Sequence, residues 1–409
     1  MGRGGGCRRY IFTMDAMEHF DVCIAGAGII GLSLALELRS RGRTVVVLER
    51  GNAVSESSWA AAGMLAADDP DNPPALAPLA ELSISMYPEF LNRIRSLSGL
   101  PVPIRTRQTL QKSPALRPHP SSLPGSECLP CSVQRVHFRK ELRSLEPALA
   151  DSVSPGLSSH RMNQTWFLLN ELSLDPRDVC MALRTSAERT AIEMRECTEW
   201  LPPARASHHG NVASLRIATS RRTFDTAILI DCRGAWASHT GNKLNPLERT
   251  SIRPVKGQAL TVALPSGLSI SRTIRSPGIY LVPRGDGRVV IGATVEEAGF
   301  DKSTDEASIS ALIARADALL PGIAKGTVLE CWAGLRPGTP DGLPLLGAVS
   351  GSEIASIEGR FIAAGHYRNG ILLAPATALV MAQLVCAEAP SIDLAPFSPA
   401  RFQSTVGQG

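Results

Sequence analysis

A strand, a glycine-rich turn and a helix follow one another from residue 20, and no other feature constrains the chain as tightly. Asp21 to Ala25 reads as a strand and Gly26-Ala-Gly28-Ile-Ile-Gly31 as a turn opening a helix from Ile30 to Arg41, with Gly42 as the helix stop. A Val-rich second strand, Thr44 to Leu48, then ends at Glu49. This is a βαβ unit carrying G-x-G-x-x-G in its first turn and an acidic residue about 20 positions on. Gly26 allows the tight turn, Gly28 lets backbone amides reach a pyrophosphate at the helix N-terminus, and Gly31 lets helix and strand pack closely. The Glu49 carboxylate can accept hydrogen bonds from a ribose. The unit predicts a site for an ADP-containing dinucleotide, and the motif alone does not choose between a flavin and a nicotinamide.

The rest of the chain is organised around that unit. Residues 55–68 are rich in Ser and Ala with a Gly, which suits close approach of backbone to a ligand, and Leu79 to Leu97 resumes a helical period. Periodicity weakens between Pro101 and Leu169, where Ser113 to Pro130 reads as a surface excursion. Pro176 to Arg189 reads as a helix capped by Asp175, and Phe224 to Cys232 as a strand running into Gly234, Ala235 and Trp236. The β-formers in residues 252–264 and 279–294 predict a second domain built on an antiparallel sheet. A helix over residues 303–320, a Gly/Pro-rich loop from Trp332 to Gly347, a strand from Arg360 to Ala364 and a final helix from Gly370 to Ala387 complete the chain. No internal repeat is visible.

Composition narrows the function classes. With 44% hydrophobic and 20% charged residues among 409, the chain can bury a sizeable core, which excludes disorder for most of it and leaves room for two domains. A formal charge of +4, with Lys and Arg spread out, argues against a nucleic-acid partner. Nine scattered cysteines do not make a disulfide framework and fit a reducing, cytoplasmic compartment. The apolar run Val22 to Leu38 is too short and too interrupted to span a membrane, and Met1 to Met17 lacks the apolar stretch of a secretory signal. Residues 1–17 read as a flexible tail or as sequence upstream of a start at Met14 or Met17.

Five segments carry a family resemblance across nearly the whole chain from Phe20. They are Ser57-Ser-Trp-Ala-Ala-Ala-Gly-Met-Leu65, Gly278-Ile-Tyr-Leu-Val-Pro-Arg284, Val290-Ile-Gly-Ala-Thr294, Trp332-Ala-Gly-Leu-Arg-Pro-Gly-Thr-Pro-Asp-Gly342 and Gly365-His-Tyr-Arg-Asn-Gly-Ile-Leu-Leu-Ala-Pro375. In this order they resemble the D-amino-acid oxidase superfamily of flavoproteins, and within it the glycine oxidase branch that serves thiamine biosynthesis. The resemblance implies an α/β architecture: a Rossmann-like FAD-binding domain interleaved with an α+β substrate domain on an antiparallel sheet. The expected boundaries are 18–98, 167–248 and 334–409 for the first domain, and 99–166 and 249–333 for the second.

The same resemblance implies non-covalent FAD and assigns its contacts. With Gly26, Gly28 and Gly31 forming the cofactor-binding turn, Ile29 and Ile30 follow the pyrophosphate, Glu49 and Arg50 hold the adenosine, and Ser57 and Ser58 contact the phosphates or ribityl chain. Ala62, Gly63 and Met64 line the isoalloxazine, Trp200 holds the adenine side through its backbone, and His366, Tyr367, Arg368, Asn369, Gly370, Ile371 and Leu372 wrap the flavin. Arg336 stands in the substrate-carboxylate position, and the chemistry agrees, since a guanidinium is always charged and offers a planar fork matched to a carboxylate. Tyr280 resembles a tyrosine that hydrogen-bonds the same carboxylate, and Arg368 a second arginine at the mouth of the site. No metal is expected. The flavin would take a hydride from the carbon bearing the amine while the protein aligns the substrate. The implied partners are a small amino acid (glycine, sarcosine or a small D-amino acid) and molecular oxygen, with self-association into a homo-oligomer left open. A dehydrogenase of the D-amino-acid or sarcosine type, passing electrons to another acceptor, would use nearly the same site. A flavin domain acting on a modified tRNA base would need an attached methyltransferase and a basic surface, and neither is evident.

Other signals are set aside. Cys128-Leu-Pro-Cys131 has redox or zinc spacing, yet a lone C-x-x-C without a second pair or nearby His reads as incidental. Cys331 reads as a buried small hydrophobe and His366 as a loop anchor. Cys232-Arg233 departs from the small apolar residues usual before Gly-Ala-Trp in the family and has no explanation in the sequence.

Overall fold

In a computed structural model of the chain, residues 18–112, 143–145, 166–202, 204–209, 212–237, 252–349 and 359–402 are described. The expected tail over residues 1–17, the Ser113 to Pro130 excursion and the Cys128/Cys131 pair lie outside them. Among the described residues no helix is long and apolar enough to cross a membrane.

The βαβ unit forms as the sequence indicates. The strand His19–Ala25 pairs in parallel with Val45–Leu48 on one side and Thr223–Asp231 on the other, with the helix Ile29–Ser40 between the first two in sequence. Outward from these, Glu193–Arg195 extends one edge, and Val212–Ala218 and Arg205–His209 the other, while Arg360–Ala364 joins Thr223–Asp231 in parallel and pairs with Leu345–Ala348. Val22, Cys23 and Ile24 are fully buried, as strands of a parallel sheet covered on both faces should be.

Helices Ile29–Ser40, Ala77–Ser98, Pro176–Arg189 and Gly370–Val385 pack together over this sheet. The last helix carries Pro375 in its interior, which cannot donate to the carbonyl of Ile371 four residues back. The Tyr87 hydroxyl donates to that carbonyl instead, and the Ser83 hydroxyl donates to the carbonyl of Leu372 at 2.6 Å. Two polar side chains of Ala77–Ser98 thereby fix the first turn of a helix that borders the site described below. Asp175 caps Pro176–Arg189 as expected, its side chain accepting from the Arg177 amide at 3.1 Å.

The second sheet has eight strands in the order Thr327–Gly338, Arg253–Ala263, Arg288–Gly292, Ile279–Pro283, Thr273–Ser276, Thr109–Lys112, Trp166–Leu169 and Arg143–Leu145. It is antiparallel but for one pair, Thr273–Ser276 beside Thr109–Lys112, which runs parallel. The helix Glu306–Leu319 covers it, burying Leu312, Ala316 and Leu319 against Leu260, Ile274 and Leu281. A three-stranded sheet of Met64–Leu65, Leu172–Leu174 and Ile104–Thr106 makes up the remainder.

Two expectations are corrected. Trp332 to Gly347 is not a continuous loop: Thr327–Gly338 is a twelve-residue edge strand and Leu345–Ala348 a further one. Its glycines and prolines serve packing and pairing rather than turning. A Cβ on Gly334 would lie 2.5 Å from that of Ala60, and Pro337 stands opposite Pro254 on the sheet's edge, where a missing N–H is tolerated. Cys331 is exposed, not buried, because it lies in the first, solvent-facing part of this edge strand, where Thr327 to Cys331 are all exposed.

Candidate active site

A cavity of about 480 Å³ is bordered by residues of both large sheets. At one end lies the glycine turn. Gly26 has φ +107°, and a Cβ there would meet the Cys232 carbonyl oxygen at 2.5 Å, so only glycine fits between the first strand and Thr223–Asp231. Gly28, Ile29 and Ile30 face the cavity. The Ile29 amide, one of the unsatisfied donors at the helix start, donates to the Ser58 hydroxyl at 3.0 Å. Glu49 is fixed by two backbone amides, Ala27 and Gly51, each donating to its carboxylate at 3.0 Å. Arg50 lies 3.8 Å over the Trp236 ring and pairs with Glu56 at 3.2 Å. Trp200 borders the same end, and its buried indole N–H has no hydrogen-bond partner among the described residues.

Ala62, Gly63 and Met64 line the middle. Gly63 presses its bare Cα on Leu174, whose carbonyl oxygen would lie 2.1 Å from an added Cβ. The buried Arg284 holds the same loop, donating to the carbonyls of Ala62 at 2.9 Å and Leu174 at 3.2 Å, with the Asp175 carboxylate 3.4 Å away.

At the far end stand Arg336 and Tyr280, each on glycine. An added Cβ on Gly257 would lie 2.2 Å from Arg336 Nη1, and one on Gly292 2.4 Å from the Tyr280 hydroxyl. Arg336 is half-buried and donates to the carbonyls of Lys256 at 3.3 Å and Thr294 at 3.2 Å. Burial raises the Tyr280 phenol above its ordinary value, opposed in part by the guanidinium groups of Arg336, Arg368 and Arg284, so Tyr280 stands as a neutral O–H donor. Ser57, Tyr367, Arg368, Asn369, Gly370 and Ile371 also lie on the wall. Tyr367 adopts φ +48°, held by its amide donating to the Pro337 carbonyl at 2.9 Å. Asn369 donates to the Asn72 side chain at 2.9 Å.

Two of the residues expected to contact cofactor do not border the cavity. Gly31 packs under the turn, where a Cβ would sit 2.0 Å from the Gly26 carbonyl oxygen, and Leu372 is buried in the helical core. Several wall residues escaped the sequence. Arg233, the unexplained departure, pairs with Asp231 at 2.6 Å and stacks 4.6 Å over Trp200, fixing that ring. Asp69 sits in the acidic turn Asp68-Asp69-Pro70-Asp71, which has no local signature of a site. Arg284, which holds the Ala62 and Leu174 carbonyls without bordering the cavity, ends the segment Gly278 to Arg284, and a lone arginine after a strand says nothing of the carbonyls it will reach.

His366 is buried, its Nε2 3.1 Å from the Thr377 hydroxyl, and burial pushes its pKa down to about 3. The unfolded chain, with an imidazole near 6.5, therefore takes up a proton below that value which the folded chain refuses. Stability from this group is full above about pH 6.5 and is lost as the pH falls toward 3. Between pH 7 and 5 the wild type should lose about 2 kcal/mol more in guanidinium unfolding than His366→Gln does. Equal acid sensitivity of the two proteins would mean that His366 is not buried as the neutral ring.

The donor set fits a bound FAD. Gly28 leaves open space where a Cβ would meet only the Ser58 hydroxyl, at 3.4 Å, the helix start presents backbone amides, and Trp200 keeps an orphaned donor. The family of FAD dependent oxidoreductases matches residues 21–384. Glycine oxidase of Pseudomonas aeruginosa is 34% identical over 386 residues, 93% of this chain and 98% of the relative. Glycine oxidase of Geobacillus kaustophilus is 31% identical over 96% of this chain and 100% of its own. A bifunctional protein ThiO/ThiG of a Synechocystis species is 32% identical over 94% of this chain, which spans 54% of that relative. The crystal structure of the Geobacillus kaustophilus glycine oxidase superposes with a TM-score of 0.79 at 28% identity, covering 94% of this chain and 99% of the other. The chain thus belongs to the DAO family and is an FAD-dependent oxidoreductase.

Proposed function

We propose that the enzyme oxidatively deaminates glycine and other small amines bearing one carboxylate, such as sarcosine and small D-amino acids. Glycine, water and oxygen would give glyoxylate, ammonia and hydrogen peroxide. The observation that carries this reading is an imbalance of charge. Of the four arginines on the cavity wall, Arg50 pairs with Glu56, Arg233 with Asp231 and Arg368 with Asp71, while Arg336 has no carboxylate partner among the described residues. A half-buried guanidinium held by two carbonyls beside the Tyr280 hydroxyl, with no carboxylate among the described residues, gains most from a ligand that brings its own carboxylate.

Bound FAD supplies the hydride acceptor. Arg336 and the Tyr280 hydroxyl together hold the substrate carboxylate, and Gly257 and Gly292 allow both side chains to lie flat against the second sheet. Ala62, Gly63 and Met64, braced by Arg284, form the wall between that anchor and the dinucleotide end. Orienting the substrate in this way converts a collision into a fixed approach. The six cysteines among the described residues are free, which supports a reducing, cytoplasmic setting. The likeness to glycine oxidases, and to a relative that joins ThiO to ThiG in one chain, supports a supply role for the thiazole branch of thiamine biosynthesis.

The test is anaerobic addition of glycine, sarcosine and D-alanine to the purified protein in separate cuvettes. Visible flavin bands should bleach with glycine and return with air as peroxide forms. Bleaching without return would replace the oxidase by a dehydrogenase, and no bleaching with any of the three would refute the substrate class.

A further inference from the structure

Arg368 stands on the same wall as Arg336, yet its charge is already answered. Its guanidinium lies 3.2 Å from Asp71 and 3.7 Å from Asp69. Asp69 is the more telling of the two, because it borders the cavity itself with its side chain only 10% exposed. One carboxylate oxygen accepts from the Asp71 amide at 3.0 Å, which fixes the side chain as a turn cap. The other lies between two guanidinium groups, Arg368 and, at 3.6 Å, the buried Arg275. Arg275 has a second carboxylate, Glu171, at 3.2 Å, and its strand partner in register is Tyr280. Asp69 therefore stands on the cavity wall beside Arg368 and, through Arg275, next to the strand that carries Tyr280, and it answers a cation there.

We propose that Asp69 is a specificity-determining residue that limits the enzyme to substrates with a single carboxylate. With Arg336 taking the first anionic group, a second one extending toward Arg368 meets a fixed carboxylate and no free guanidinium. Zwitterionic glycine does not feel this penalty, since its only anionic group is held elsewhere. The inference rests on Arg336 being the carboxylate anchor, and it adds what the remaining wall rejects. Like charges brought together in a partly dry site are discriminated far more strongly than in water, so a single carboxylate suffices to set the preference.

The test compares wild type with Asp69→Asn, which keeps the side-chain oxygen that caps the turn and removes the charge. Steady-state kcat/KM is measured for glycine and for iminodiacetate and D-aspartate, and acetate and malonate binding is followed as a change in the visible flavin spectrum. In Asp69→Asn, kcat/KM for the diacids relative to glycine should rise at least tenfold, mainly through KM, and malonate should bind at least tenfold more tightly while acetate changes less than threefold. Adding Arg368→Gln to Asp69→Asn should erase both gains. A variant that loses activity on glycine and diacids alike, or leaves the diacid-to-glycine ratio and the malonate affinity unmoved, overturns the proposal. If Asp69→Asn does not hold flavin, Asp69→Ser, whose hydroxyl can still cap the turn while the charge is removed, should move the ratio the same way, and no movement there counts against it. Failure of wild type to oxidise any amino acid would instead strike the anchor assigned to Arg336, so the two failures are distinguishable.

Discussion

Replacing Arg336 by methionine should lower kcat/KM for glycine by about three orders of magnitude while the flavin stays bound. Loss of one member of a buried, hydrogen-bonded charge pair costs roughly 4 kcal/mol, and each 1.4 kcal/mol is tenfold. The effect should be confined to the substrate end because of where Arg336 sits. Its neighbours are the carbonyls of Lys256 and Thr294 and the bare Cα of Gly257, whereas the glycine turn, Glu49 and Trp200 lie at the other end of the cavity. Methionine keeps an unbranched stem over Gly257, so the strand pair Arg253–Ala263 and Thr327–Gly338 has no reason to shift. An amine without a carboxylate, such as ethylamine, should be oxidised equally poorly by both proteins. Arg336→Met turning over glycine within about tenfold of wild type would remove Arg336 from the site.

The difference between what the sequence discloses and what it hides follows from the range of the interactions. The turn at Gly26, Gly28 and Gly31 is legible because backbone geometry demands glycine wherever it occurs, and the cap at Asp175 because its partner is two residues away. The charge partners of Asp69 are not legible. Arg275 and Arg368 approach it from a strand and a loop some two to three hundred residues on, and only the folded chain brings the three together. Arg284 is hidden for the same reason, its acceptors being the carbonyls of Ala62 and Leu174. The misjudged segment from Trp332 to Gly347 shows a local signal with two meanings. Glycine and proline break regular structure in isolation, but here Gly334 admits Ala60 and Pro337 faces Pro254 along the edge of a sheet. The burial expected of Cys331 fails with it, since whether a residue of an edge strand is exposed depends on which part of the strand the rest of the fold covers.

The three glycines of the turn are also separable by experiment, and Gly28 is the informative one. Gly26→Ala would force a Cβ to within 2.5 Å of a main-chain oxygen at φ +107°, and Gly31→Ala would place one 2.0 Å from another, so both should damage the folded state whatever binds there. Gly28 has φ −80° and ψ −177°, extended backbone that any residue adopts, and a Cβ there would touch nothing closer than the Ser58 hydroxyl at 3.4 Å. Its lack of a side chain is therefore explained by the space in front of the helix start, and not by the chain's own geometry. Gly28→Val should fold, with the thermal melt and circular dichroism of the flavin-free wild type, yet bind FAD at least a hundredfold more weakly and purify colourless. The branched side chain would stand where a pyrophosphate meets the amides of the first helical turn, and an overlap of roughly 3 kcal/mol is enough for that loss. A yellow, fully loaded Gly28→Val protein would show that the dinucleotide does not approach through this turn, and the orphaned donor on Trp200 and the two amides on Glu49 would then need another explanation.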